Sequence, residues 1–345
     1  MHIFQFLIAV LILGVLVFVH ELGHFVTAKL AGMPVADFSI GMGPVVVAFG
    51  RADTTYSLRA IPVGGSVAIE GMDLDSDKED GFNKKGPFAR IVVLSAGVFM
   101  NFLFSIIVLF LSGVLIGKYV TSTEPVIGGV LPVSHANIFL RPGDRILSIN
   151  GAPVDVWSDI SKNVRKNAAE KILTLRLEYL REGQKQAADI PLTELPESGD
   201  FVLGVTSQSV KVNLSPKESF IRSLTLTRDI FFNIFRGLGS LVRGKVKKEE
   251  VSGPIGIVRQ IGQWSEDGVG TLLFFAAMLS VNLGIINLLP IPALDGGRIL
   301  FVLLELLHIR VNKKIEERIH YAGYFMLLAL IFLITVNDVV NIFKG

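Results

Sequence analysis

The chain has 345 residues, a net charge of +2 and no cysteine. So small a charge, with no basic block, gives no footing for nucleic-acid binding, and the missing cysteines exclude both a disulfide framework and thiolate-held zinc. Half of the residues are apolar and the mean hydropathy is +0.55, more than a soluble chain of this length needs, so membrane spans are sought first.

Met1–Val19 is apolar except for His2 and Gln5, and it lacks the basic start and A-x-A site of a cleaved signal peptide. It is expected to be retained as a first membrane helix over residues 1–32, because about 20 apolar residues cross a hydrocarbon core of roughly 30 Å. At its end stands His20-Glu21-Leu22-Gly23-His24, an H-E-x-x-H pattern. Residues four apart share one face of a helix, so both imidazoles can reach one zinc, with Glu21 beside the metal's open position as a base for bound water. The bland alternative, two satisfied histidines and a glutamate at a membrane boundary, must explain ionisable groups where they are costly.

Residues 33–87 read as a membrane-associated β-hairpin loop. Tyr56–Ala60 and Ser66–Ile69 alternate as strands do, Gly64-Gly65 offers a turn between them, and Phe38–Phe49 is too apolar for a solvated loop. Phe88–Ile116, with Arg90 as its one charge, gives a second span over 88–118. Residues 122–210 then read as one α+β domain. Its expected strands are Ile127–Leu131, Arg145–Ile149, Ile172–Tyr179 and Phe201–Val205, with a helix over Val156–Lys166 and turns at Pro142-Gly143-Asp144 and Asn150-Gly151.

Ser215-Pro216-Lys217-Glu218 carries helix-start signals and opens an amphipathic helix over 215–245. Arg222, Asp229, Arg236 and Arg243 recur along it at spacing seven; it could lie on a membrane surface or pack on the protein. A connecting loop over 246–270 leads to a third span over 271–293. The remainder, 294–345, holds a helix beginning near Asp295 and a fourth span around Tyr321–Val336. Lys29, Lys84, Lys85 and Arg90, and then Arg310, Lys313, Lys314 and Arg318, flank the spans on one side. The positive-inside rule makes that side cytoplasmic and puts the α+β domain and both termini opposite.

A catalytic zinc usually keeps three protein ligands and one open position. Asp295, Glu305, His308 and His320 lie near the later spans and could each supply the third. Position alone also suits Asp295 as a helix N-cap, and Glu305 with His308 is a weak E-x-x-H hint of a metal pair.

His20–His24, together with Asn287-Leu288-Leu289-Pro290-Ile291-Pro292-Ala293-Leu294-Asp295-Gly296, resembles the paired signatures of the site-2 proteases, intramembrane zinc metalloproteases. The resemblance implies His20, His24 and Asp295 as zinc ligands and Glu21 as base, with Asn287 holding the substrate backbone or the developing oxyanion. An interhelical hydrogen bond is the plain alternative for Asn287. Phe38-Ser39-Ile40-Gly41 and Ile61-Pro62-Val63-Gly64-Gly65 resemble the family's membrane-associated β-hairpin. Ser95-Ala96-Gly97 with Asn101-Phe102 resembles its second-span signature, with Val98 where proline is usual. Leu140-Arg141-Pro142-Gly143-Asp144-Arg145-Ile146 and Ile149-Asn150-Gly151 look like a bacterial protease-type PDZ domain, and Ser252-Gly253-Pro254-Ile255-Gly256 matches a stretch before the third span. The nearest subgroup, the bacterial regulator-of-sigma-E proteases, typically carries two PDZ domains where this chain has one.

The expected fold is thus a polytopic α-helical membrane protein of about four spans, with a membrane-associated β-hairpin and one PDZ domain. The expected function is Zn2+-dependent cleavage of single-span membrane proteins in a bacterial cytoplasmic (inner) membrane. Substrates of this kind include anti-sigma factors already cut once by another protease, and signal-peptide remnants. Two other classes compete. A membrane-anchored PDZ scaffold would hold no metal, and a metal transporter would spread its polar residues along a path rather than gather them in two motifs.

Overall fold

The structure, a computed structural model, describes residues 3–72, 79–195, 199–244, 253–266, 268–309 and 311–344. Residues 73–78, which make up most of the acidic stretch before the second span, lie outside them, as do Arg310 and Ser252. The chain divides into two compact units, Met1–Ile116 with Ser215–Gly345, and Gly117–Leu214.

In the first unit, four helices are long and apolar enough to cross a membrane: α1 (Ile3–Leu30), α2 (Pro87–Leu115), α7 (Val269–Leu288) and α9 (Lys313–Lys344). α1 buries Ala9, Leu16, His20, Gly23, His24 and Ala28; Gly23 and Ala28 meet α2, while Ala9 and Leu16 pack with Phe275 of α7. Between α1 and α2 come strands β1 (Val35–Arg51) and β2 (Thr54–Ile69). The expected turn at Gly64-Gly65 is instead a bend inside β2, and the chain reverses at Ala52-Asp53, where Ala52 takes a φ of 53°. β1 bends too, near Gly41 (φ 88°), where a Cβ would meet the Ile61 carbonyl oxygen at 2.5 Å.

These bends let the first half of β1 pair with both halves of β2, Ser39 with Ser66 and with Ser57. The segment Gly65–Ile69 therefore has β1 on one side, while Gly65 faces Glu21 and Val17 of α1 on the other. The outer part of the hairpin exposes Met42, Val45, Val46, Val47, Phe49 and Leu58, apolar side chains on both of its faces.

The amphipathic helix is α5 (Pro216–Val242), and it packs on the protein. It runs antiparallel to α2, with Ser219 against Gly113, the Thr227 and Ser105 hydroxyls 3.2 Å apart, and Phe231 against Phe102. Small inward residues allow the close approach, as they do between membrane helices. Ile230, Ile234 and Leu238 extend the contact to Ala277, Val281 and Ile285 of α7. Residues 254–266, read as part of a connecting loop, form a further helix, α6 (Pro254–Glu266), whose Ile261 packs on Ala9, Leu16 and Phe275. Asp338 of α9 accepts from the Gly253 and Gly256 amides, each at 2.9 Å, and so satisfies the start of α6. α7 ends at Leu288, short of the expected span, because Pro290 and Pro292 follow. α8 (Asp295–Leu306) begins after the break.

The second unit comprises β3 (Lys118–Thr121), β4 (Ile127–Val130), α3 (Ala136–Phe139), β5 (Arg145–Ile149), β6 (Ala152–Pro153), α4 (Trp157–Ala169), β7 (Thr174–Arg181), β8 (Gln184–Pro191), β9 (Thr193–Glu194), β10 (Phe201–Val202), β11 (Val205–Ser207) and β12 (Ser209–Val212). Its four-stranded sheet has the order β6-β5-β7-β8, closed over Ile127, Ile146, Ile149, Ile160, Leu175, Leu177 and Ile190. The Pro142-Gly143-Asp144 turn is held by Asp144, whose carboxylate accepts from the Arg141 amide at 2.7 Å and from Arg181 at 2.7 and 2.8 Å. The expected strand over Phe201–Val205 is split by Gly204, at a φ of 77°. A groove of about 600 Å³ opens between α4 and this split strand, lined by Ile160, Val164, Phe201, Leu203 and Val205. β3 and β12 pair, Thr121 beside Ser209.

Candidate metal centre

The site is assembled where α1, α2, α7 and α8 meet. His20 and His24 stand one turn apart on the buried face of α1, 6% and 8% exposed. Two glycines bring the backbones together there. A Cβ on Gly23 would meet the Ala96 carbonyl oxygen at 2.5 Å, and one on Gly97 would run into the His24 Nε2 and lie 2.6 Å from the His20 ring. Gly97→Ala is therefore expected to force α1 from α2 or turn both rings aside. Overpacking of this kind costs about 1–3 kcal/mol, and thermal unfolding of the purified variant measures it. Wild-type stability with both histidines still in place would show that the contact is slack.

Asp295 arrives from the far end of the chain. The broken segment Leu289–Leu294 turns sharply enough to start α8 under α7 because Gly296 and Gly297 carry no side chain. A Cβ on Gly296 would strike the Leu288 and Leu289 carbonyl oxygens, and one on Gly297 that of Ile291. Leu294 is the N-cap of α8 and makes no side-chain capping bond. The Asp295 carboxylate is turned instead to the histidines: its Oδ2 lies 3.1 Å from His20 Nε2 and 3.3 Å from His24 Nε2, and the two Nε2 atoms are 3.1 Å apart.

These three atoms fit a zinc ion. Bonds of about 2.0–2.1 Å at tetrahedral angles separate neighbouring ligand atoms by about 3.3 Å, close to each edge of this triangle. The donor set of two imidazoles and a carboxylate is one zinc accepts. His24 Nδ1 donates to the Val93 carbonyl oxygen at 2.8 Å, which leaves its Nε2 lone pair directed at the centre, as a metal-ligating histidine requires. Among the described residues no other trio of His, Asp and Glu side chains converges in this way.

The other candidates for a third ligand lie elsewhere. Glu305 takes an ion pair with Arg90 at 2.6 Å. His308 is exposed at the end of α8, at a φ of 63°. His320 braces the broken segment, its Nδ1 accepting from the Ala293 amide at 2.9 Å, where Ala293 is held at a φ of 78°. Asn287, on the last turn of α7, places its Nδ2 3.2 Å from His20 Nε2. Glu21 lies against the edge segment of β2, its Cγ 3.3 Å from the position of a Cβ on Gly65, and bonds to the Val67 backbone. The Val93 carbonyl, Val67 and the role of the two glycines were invisible in the sequence, where no side-chain pattern marks a backbone partner.

The profile of Peptidase family M50 matches residues 8–330. A Fusobacterium nucleatum protein is 44% identical over 98% of this chain and 99% of its own length. Zinc metalloprotease RasP of Geobacillus kaustophilus is 29% identical, with 97% of each chain covered. The PDZ domain of the SdrC-like protein from Listeria monocytogenes aligns at 24% identity over 26% of this chain and 90% of that one, with a TM-score of 0.22. The profile match runs unbroken from α1 through Asp295 into α9, taking in every element that builds the centre, and the chain belongs to Peptidase family M50, the site-2 proteases.

Proposed function

We propose that this protein is an intramembrane endopeptidase that cuts single-span membrane proteins, with His20, His24 and Asp295 holding its zinc, Glu21 as general base and Asn287 as oxyanion donor. The protein is a zinc metalloprotease with several apolar helices, a multi-pass membrane enzyme. The observation that carries the reading is the 3.1–3.3 Å triangle of His20, His24 and Asp295, set within the apolar helix α1 with a carboxylate, Glu21, beside it.

Zinc held by His20, His24 and Asp295 would supply a Lewis acid and make water more acidic. Glu21 is placed to take a proton from the attacking water and to return it to the leaving amine. Its contact with Val67 fixes the carboxylate against β2. Asn287 Nδ2 donates to the carbonyl oxygen as negative charge builds there. A transmembrane substrate hides its peptide bonds in helical hydrogen bonds and must unwind first. The segment Gly65–Ile69 offers a strand edge beside Glu21, and adding the unwound substrate to it restores those bonds.

The unit Gly117–Leu214 reads as a PDZ domain, with the groove between α4 and the split strand as its peptide site. Positive charges around residues 29, 84–90 and 313–318 place those loops in the cytoplasm and the PDZ domain on the extracytoplasmic side of a bacterial inner membrane. On that arrangement it screens substrates, among them anti-sigma-factor-like proteins trimmed by a first protease and signal-peptide remnants.

Removing Ser122–Ser207 tests this. The cut ends are adjacent, since the Ser122 amide donates to the Gln208 carbonyl at 2.8 Å. The deletion form is expected to keep hydrolysis and change its substrate range. If the domain is a filter, uncut membrane proteins are cleaved faster; if it is a recruiter, pre-trimmed ones are cleaved more slowly. A folded, zinc-loaded deletion form inactive on a panel of single-span substrates would show that the domain shapes the active site itself.

A further inference from the structure

Asn101 lies on α2 one turn beyond Gly97 and is fully buried. Its side chain faces the far edge of the His20 ring, with Nδ2 3.1 Å from His20 Nδ1, while its Oδ1 has no hydrogen-bond partner. α7 fixes the residue from behind: Ser280 Oγ donates to the Asn101 carbonyl oxygen at 2.9 Å, and Gly284 packs against its Cβ. A buried amide with one orphaned end, held by two helices against a histidine, needs a reason, because an unpaired buried acceptor is destabilising.

The reason lies in the tautomer of His20. With Nδ2 donating to Nδ1, the ring must carry its proton on Nε2, where it can bond Asp295 but offers no lone pair to a metal. Ligation requires the opposite tautomer, with the proton on Nδ1. The oxygen and nitrogen ends of an asparagine amide have nearly the same shape, and hydrogen bonding decides which faces which way. A half-turn of the Asn101 amide brings the orphaned Oδ1 to the Nδ1 position, where it accepts the ring proton. One amide end stays unpartnered in either orientation, so the turn itself adds no further orphan.

We propose that Asn101 is the positioning residue of His20. Its carbonyl accepts from Nδ1 and keeps the Nε2 lone pair aimed at the zinc, as the Val93 carbonyl does for His24. The inference rests on the reading of His20 as a ligand. It differs from that reading in what it demands of residue 101: an acceptor, and not merely a side chain of the right volume.

Zinc affinity of the purified full-length protein, measured by chelator competition, separates the two, with thermal stability of the metal-stripped forms as control. Asn101→Leu keeps the bulk and removes the acceptor. It is expected to weaken zinc binding by roughly 10–100-fold, the usual cost of losing an outer-shell partner, with metal-free stability little changed. Asn101→Asp restores an acceptor in the same place and is expected to bind zinc at least as tightly as wild type. Wild-type affinity in Asn101→Leu, or an equal loss in Asn101→Asp, would overturn the proposal. Should Asn101→Leu fail to fold, Asn101→Asp alone decides it: affinity at or above wild type upholds the acceptor role, and a loss of about 10-fold refutes it. His20→Gln guards the underlying reading. If it binds zinc like wild type, His20 is no ligand; if it loses zinc while Asn101→Leu does not, only the role of Asn101 fails.

Discussion

Glu21→Gln is expected to leave zinc in place and reduce cleavage by roughly 10²–10⁴-fold, the usual worth of a positioned general base. Glutamine has the shape of glutamate, and its amide can still sit against β2 beside Gly65 and Val67. It cannot take a proton from water at neutral pH. The three atoms of the triangle belong to His20, His24 and Asp295, so the substitution removes none of them. The measurement pairs metal content with cleavage of a panel of single-span membrane proteins in proteoliposomes. Wild-type turnover by the variant would sink the metalloprotease mechanism. Loss of zinc along with activity would instead make Glu21 part of the metal's hold.

Asp295→Ala is expected to cost more in metal affinity than any outer-shell change, exceeding the roughly 10–100-fold range of those, and to abolish activity as a consequence. Only two imidazoles would remain of a set that normally numbers three protein ligands. The carboxylate makes 3.1 and 3.3 Å contacts with the two histidines, and the N-cap position of α8 is held by Leu294, not by Asp295. Asp295→Asn sharpens the test, for it keeps the shape and any residual capping capacity while removing the charge. Stoichiometric zinc in both variants, with activity lost, would make Asp295 a helix-start residue. Glu305 is tied to Arg90 and His308 is exposed beyond the end of α8, so either could replace the ligand only after this segment rearranged.

Much of this was legible because it is local. The H-E-x-x-H pattern declares itself by helical spacing within one apolar segment. Elements whose character depends on their neighbours read less well. Gly64-Gly65 has the composition of a turn, yet in place it bends one long strand so that its second half reaches Glu21. The seven-residue charge repeat of α5 suits a surface helix equally, and only Ser219, Thr227 and Phe231 meeting α2 distinguish packing on the protein. The thirteen residues of α6 are too short and too mixed in polarity to stand out from a connecting loop in the sequence.

The sequence by itself determined that the chain enters a membrane, that two histidines and a glutamate share one helix face, and that a small α+β unit interrupts the spans. These follow from hydropathy and from repeats of 3.6 and 2 residues, which any short window displays. The resemblance of the two motifs already implied Asp295; only the tertiary structure brings its carboxylate against both histidines while Glu305, His308 and His320 lie elsewhere, and sets Asn101 against His20 and the Val93 carbonyl against His24. The partners lie up to 275 residues apart. Their meeting is set by bare glycine backbones at 23, 97, 296 and 297 that let helices close to contact, and steric fit across separate elements leaves no periodic mark in the chain.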